Sequence, residues 1–94
     1  MDGILEFFWD WSDHGNVSHV AANGLTPEQC EQVVRRGFKD RQVNRTDPQR
    51  WIVEDFTDAG LSVVVSFELE WIEELNCWGI TPVTAFECEW TLWP

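Results

Sequence analysis

Apolar and polar residues change their repeat along this chain, and each change marks an element. Ile4 to Trp9 is a short apolar and aromatic run and predicts a first strand ending near Asp10. Ser12 or Asp13 can cap a helix that continues through Asn16, Val17, His19, Val20 and Ala21, with Asn23-Gly24 as a left-handed stop. Thr26-Pro27-Glu28-Gln29 is a stronger start signal, with Thr26 as N-cap, Pro27 at the first helical position and Gln29 completing a capping box. In the helix that follows, Cys30, Val33 and Val34 recur at the spacing of a buried face. Gly37 is placed to end that helix just after Arg35-Arg36.

Beyond Gly37 the repeat becomes two. Lys39 to Arg45 reads as a polar edge strand, because charged residues discourage strand-to-strand aggregation. Arg50 to Phe56 and Leu61 to Leu69 read as better strands, joined by a tight turn at Thr57-Asp58-Ala59-Gly60. Leu61, Val63, Val65, Phe67 and Leu69 share one face, which should meet the two helices. Glu68 to Gly79 reads as an acidic, Trp-bearing connection. Ile80 to Phe86 reads as a last strand, in which Pro82 requires an edge or a bulge. The expected fold is α+β: two N-terminal helices after a short strand, packed on a mostly antiparallel sheet of three to four strands. Ninety-four residues make one domain, 1–94.

Charge sharpens this picture. The formal net charge is −11, yet all six basic residues fall between Arg35 and Arg50, where only Asp40 and Asp47 oppose them. A polyanion is repelled by the molecule as a whole and attracted to this window at close range, since charges beyond roughly 8 Å are screened at physiological salt. Seven Trp exceed what so small a domain can enclose, so some should be at the surface and available to partners. Cys30, Cys77 and Cys88 fit neither a disulfide framework nor a zinc site and read as free thiols, with a Cys77–Cys88 bridge left open for an oxidising compartment. No run approaches the roughly 18 apolar residues of a membrane span, and the N-terminus lacks a basic leader region, so a cytoplasmic location is expected.

Phe8-Trp9-Asp10, then Asn16-Val17-Ser18-His19, then Gly24-Leu25-Thr26-Pro27-Glu28-Gln29-Cys30-Glu31 resemble the opening of the BrnT-type toxins and their uncharacterised bacterial relatives. The order of the rest agrees over roughly Phe7 to Glu87: an Arg-bearing strand, a turn with Thr57 and Gly60, a Val-rich strand and a closing Pro82-Val83-Thr84-Ala85. The resemblance implies a RelE-like fold, metal-independent ribonuclease activity, and inhibition by a DNA-binding antitoxin. Two departures bear on that activity. Phe86 stands where the toxins usually carry Arg, and Cys88-Glu89-Trp90-Thr91-Leu92-Trp93-Pro94 replaces a basic C-terminal helix. The phosphate-binding apparatus is thereby incomplete, and RNA cleavage is expected to be weak or lost.

Metal-independent RNA cleavage needs a proton acceptor, a proton donor and cations at the phosphate. His19, whose imidazole could serve as acid or base, forms the candidate catalytic set with Arg45 and Arg50; its mid-helix position beside Val17 and Val20 argues instead for a structural histidine. Lys39, Arg41, Arg45 and Arg50 are the candidate RNA-binding residues, because guanidinium groups match phosphate oxygens in pairs. The alternative is a solvated charged edge. Arg35 and Arg36 read as favourable charges at a helix C-terminus. His14 and His19 are five apart, off the spacing that brings two imidazoles to one metal, and neither a metal nor a cofactor is expected. Glu54 and Asp55 alternate faces, which argues against a paired-carboxylate hydrolase. Trp71 with Glu73 and Glu74, and Trp90 with Trp93, are the candidate partner-binding residues of a second reading, a non-enzymatic interaction module with an acidic, Trp-bearing surface. Partners in view are an antitoxin or other protein, weakly bound RNA, and a second copy of the chain.

Overall fold

Thr26 opens the longer helix as its sequence predicts. Its Oγ1 accepts from the Gln29 amide at 3.2 Å, and Gln29 Oε1 accepts from the Thr26 amide at 2.9 Å, closing the capping box. The computed structural model describes residues 4–88. Strand β1 is Leu5–Phe7, helix α1 is Asn16–Ala22, and the capped helix, α2, is Pro27–Gly37. The inward stripe of α2 is Cys30, Val33, Val34 and Gly37, all buried. The helix stops at Gly37, but without a left-handed turn: φ is −100°, and the chain passes into a 3-10 turn, Phe38–Asp40. Gly37 serves close approach instead. A Cβ there would overlap Cγ1 of Val53, so only hydrogen lets α2 lie this near the sheet.

Helix α1 begins later than a cap at Ser12 or Asp13 would place it. Gly15 precedes it and supplies no side-chain cap. Asp10 is occupied by the Ser12 amide, at 2.9 Å, which holds its carboxyl below the usual carboxylate range. Asn16 reaches back across the turn: its Oδ1 accepts from the Asp10 amide at 2.7 Å, and its Nδ2 donates to the carbonyls of Phe8 at 3.0 Å and Pro82 at 2.7 Å. At the other end Gly24 has φ 79°, the expected left-handed stop, and Asn23 Nδ2 donates to the Ala85 carbonyl at 2.8 Å.

The remaining strands are β2 (Gln42–Val43), β3 (Trp51–Phe56), β4 (Ser62–Ile72) and β5 (Cys77–Glu87). They form one sheet in the order β1-β5-β4-β3-β2, antiparallel except for the β1–β5 pair. The α+β class and the helix-covered face are as expected. Among the described residues the strands number five, because two short edge strands join the three longer ones. Val63, Val65 and Phe67 point to the helices and are fully buried with Val20, Cys30, Val33 and Val34, while Leu61 and Leu69 pack at the margin.

Two stretches differ from their sequence reading. Lys39 to Arg45 contributes only Gln42–Val43 to the sheet, because the 3-10 turn consumes its start. Glu68 to Gly79 is not a loose connection: β4 and β5 run on to a tight turn at 73–76, with Asn76 at φ 51°. Glu68, Leu69, Glu70 and Trp71 alternate in type, and that period survives their acidity. Pro82 lies in an interior strand, at a register shift opposite Ser66 and Phe67. Strand β1 ends before it, so its missing N–H leaves no ladder bond unmade. Beyond that point α1 takes over the edge of β5, through Asn16 on Pro82 and Asn23 on Ala85.

Cys30 and Cys77 are buried free thiols, and burial pushes the Cys30 thiol up to about 12, with Glu31 adding to the effect. Cys77 and Cys88 lie at opposite ends of β5. Eleven residues of strand separate them by about 35 Å, which rules out the bridge that the sequence left open.

Two substitutions check these contacts. Asn16→Ala removes the clasp between β1, β5 and the start of α1, and should cost about 2 kcal/mol in urea unfolding; Asn16→Asp should not restore it, since a carboxylate cannot donate to two carbonyls. Gly37→Ala should destabilise by about 1–3 kcal/mol despite better helix propensity, and a stabilised variant would mean that Val53 yields freely.

Candidate anion-binding cleft

Helical spacing carries Arg35 and Arg36 to the last turn of α2, and the 3-10 turn brings Lys39 and then Arg41 round to the same side. Facing them is the end of the β4–β5 hairpin, where cross-strand pairing sets Trp71 beside Trp78. Between the two lies a cleft of about 550 Å³. Arg35, Arg36, Lys39 and Arg41 line it together with Phe38, Trp71 and Trp78, and among the described residues no Asp or Glu does. In a chain of net charge −11, four of the six cations thus meet at one concave site, which no carboxylate among the described residues lines.

The surroundings hold these cations in place. Arg41 lies over the rings of Phe38 and Trp51, its guanidinium carbon 4.3 and 4.9 Å from their centroids, and its Nη1 donates to the Phe38 carbonyl at 3.0 Å. Its Nε is buried and has no hydrogen-bond partner among the described residues. Arg35 lies 4.9 Å over the Phe7 ring and 3.8 Å from Glu31 one turn back. Arg36 pairs with Asp58, beside the β3–β4 turn, and donates to the Thr57 carbonyl at 3.4 Å. Neither of these acids lines the cleft. Trp71 meets Trp78 edge to face at 5.2 Å, and 47% of it stays exposed.

The residues singled out from sequence are dispersed. Arg41 and Lys39 join the cleft. Arg45 is exposed in the turn between β2 and β3, and Arg50 turns to Asp47, at 3.3 Å, and Glu68, at 4.0 Å. His19 is exposed on α1 and borders a second, shallower cavity of about 360 Å³ with Asp10 and His14. The two cavities share no lining residue, and α1 packs on β5 whereas Arg45 and Arg50 flank the start of β3. His19, Arg45 and Arg50 therefore form no common site. The period of two decides Trp71 as well: it points to the helix side with the cations, while Glu68 and Glu70 point to the open face. Glu73 and Glu74 are exposed in the hairpin turn, and Trp90 and Trp93 lie outside the described residues.

Arg35, Arg36, Phe38 and Trp78 were not foreseen as site residues. The clustering of every cation in one window was the available signal; only the partner across the cleft was hidden. Among the described residues no group of three or more His, Cys, Asp or Glu could hold a metal ion, and no helix is long and apolar enough to cross a membrane. The chain matches no protein-family model, no curated protein and no solved structure.

The stacked guanidinium gives a direct check. Arg41→Lys keeps the charge but loses the planar contact with two rings, and should lower stability by about 1 kcal/mol while the fold, followed by circular dichroism, is retained.

Proposed function

We propose that this domain is a divergent relative of the BrnT-type toxins, RelE-like in fold, that binds RNA phosphate and cleaves RNA weakly or not at all. The observation that carries the reading is the convergence of four of the six cations on one cleft in an otherwise acidic molecule. Kinship draws support from the element order, in which a first strand beside the last is followed by two helices on one face and then by antiparallel strands. Weak cleavage follows from what lines the cleft. Among the described residues neither imidazole nor carboxylate lines it, and the candidate acid–base group, His19, opens to another cavity. Phe86, where the toxins usually carry a cation, is exposed on the opposite face of the sheet.

A second reading, a protein-interaction module, has its own support. Glu6, Glu54, Glu68 and Glu70 share the open face with exposed Phe56 and Phe86, a combination suited to a basic partner such as an antitoxin segment.

Fluorescence anisotropy with a labelled single-stranded RNA separates the two. Binding should weaken steeply with salt, and Arg35→Ala with Lys39→Ala should flatten the dependence of log K on log salt by about 0.7 per lost phosphate contact. Expression in bacteria should cause little growth arrest, and efficient metal-free cleavage by the pure protein would overturn the impaired-enzyme reading. RNA binding that is undetectable at low salt would leave the interaction module standing.

A further inference from the structure

Taking the phosphate-binding reading of the cleft as its basis, we infer that the cleft accepts a single nucleotide unit, with the base against Trp71 and the phosphates among Arg35, Lys39 and Arg41. Three features of the site converge on this class of ligand.

The first is size. About 550 Å³ lies within the roughly 300–1,000 Å³ of pockets that enclose small ligands, and it leaves no room for a stretch of several nucleotides. The second is the division of the walls by chemistry. One side carries cations, and the other carries an indole that is braced edge to face by Trp78 yet keeps nearly half its surface open. A phosphate alone has no use for that ring. A planar base does, since any nucleobase can stack on an aromatic face. Asn76, in a left-handed backbone conformation at the end of the hairpin, adds an amide to the same lining, and an amide can meet the edge of a base or a ribose hydroxyl.

The third feature is the field outside. Glu73 and Glu74 follow Trp71 in the hairpin turn, Asp40 follows Lys39, and Glu31 and Asp58 hold Arg35 and Arg36 from behind. A chain extending beyond the cleft enters the field of these carboxylates, which is felt over a screening length of roughly 8 Å. Added phosphates therefore gain little, and the first nucleotide unit supplies most of the affinity. Such a unit has two sources, a free nucleotide or the unpaired end of an RNA.

Calorimetric titration of the full chain at low salt, without added metal, tests the assignment with four probes: adenosine 5′-triphosphate, inorganic triphosphate, adenosine, and an eight-residue oligoadenylate with a 5′-phosphate. The nucleotide should bind at least tenfold more tightly than inorganic triphosphate or adenosine. Trp71→Ala should abolish that advantage, leaving triphosphate binding unchanged, while Arg35→Ala with Lys39→Ala should weaken both phosphate ligands. If Trp71→Ala alters folding by circular dichroism, Trp71→Phe, which keeps a smaller ring, should retain an intermediate preference. The oligonucleotide should bind within tenfold of the nucleotide; equal affinity identifies either source as sufficient, and a weaker free nucleotide within that range points to the RNA end. Triphosphate binding as tight as the nucleotide, untouched by Trp71→Ala, overturns the base slot but leaves phosphate binding intact. An oligonucleotide more than tenfold tighter overturns the single-unit limit. No binding of any phosphate ligand overturns both this inference and the reading it rests on.

Discussion

Burial of one stripe of α2 against the sheet is the constraint from which the rest follows. Cys30, Val33, Val34 and Gly37 lie on Val53, Val63 and Val65, all close to fully buried. At about 25 cal/mol per Å² of apolar surface removed from water, this contact outweighs any single polar interaction in the molecule. It also determines the helix rotation. With that stripe inward and Gly37 allowing contact with Val53, Arg35 and Arg36 have only the margin of the interface left to them. The cationic wall of the cleft is thus a consequence of hydrophobic packing, and it needs no attraction among its own members.

Four positive charges placed together would otherwise repel, and the structure offsets this in two ways. Carboxylates from outside, Glu31 and Asp58, partly neutralise Arg35 and Arg36, whereas aromatic rings from Phe7, Phe38 and Trp51 receive the guanidinium faces of Arg35 and Arg41. The exposed ion pairs contribute little to stability, as surface pairs generally do. Their effect is on position: a stacked guanidinium has few rotamers left and keeps its remaining N–H donors in place. Charge is also less polarised than the linear sequence suggests. Arg50 reaches Glu68 across the sheet, so the basic window and the acidic open face adjoin rather than occupy opposite poles.

The edge of β5 shows another way in which a helix governs the sheet. A strand flanked on one side only as far as Ile80 would leave the carbonyls of Pro82 and Ala85 without partners, and two asparagines at the ends of α1 supply them. The cap position itself is Gly15, which has no side chain to offer an N-terminal amide. Asn16, bound to three groups outside the helix, is not available to one either, and Asp10 is turned toward Ser12. The helix is short in consequence, and its stability comes from docking on β5 more than from its own turns.

Local chemistry alone was enough for the capping box at Thr26, the left-handed Gly24 and the inward Val63, Val65 and Phe67; at Pro82 it left an edge or a bulge open, and the sheet order decided for the bulge. Each depends on interactions within a few residues or on a simple period. Misreadings arose where composition and period disagreed: the acidic Glu68 to Gly79 stretch is strand because alternation of its side chains, two faces with different neighbours, outweighs the cost of exposed carboxylates. Sequence also determined that the cations would be close together, since they share one short window. It could not determine what they would face. Trp71 and Trp78 reach Arg35, Lys39 and Arg41 only after a hairpin is formed and a helix is docked on it, and Arg50 is drawn away to Glu68 by the same folding. Such contacts join residues from 18 to 43 positions apart, and they are set by the register of a sheet and the rotation of a helix, which only the packed core decides.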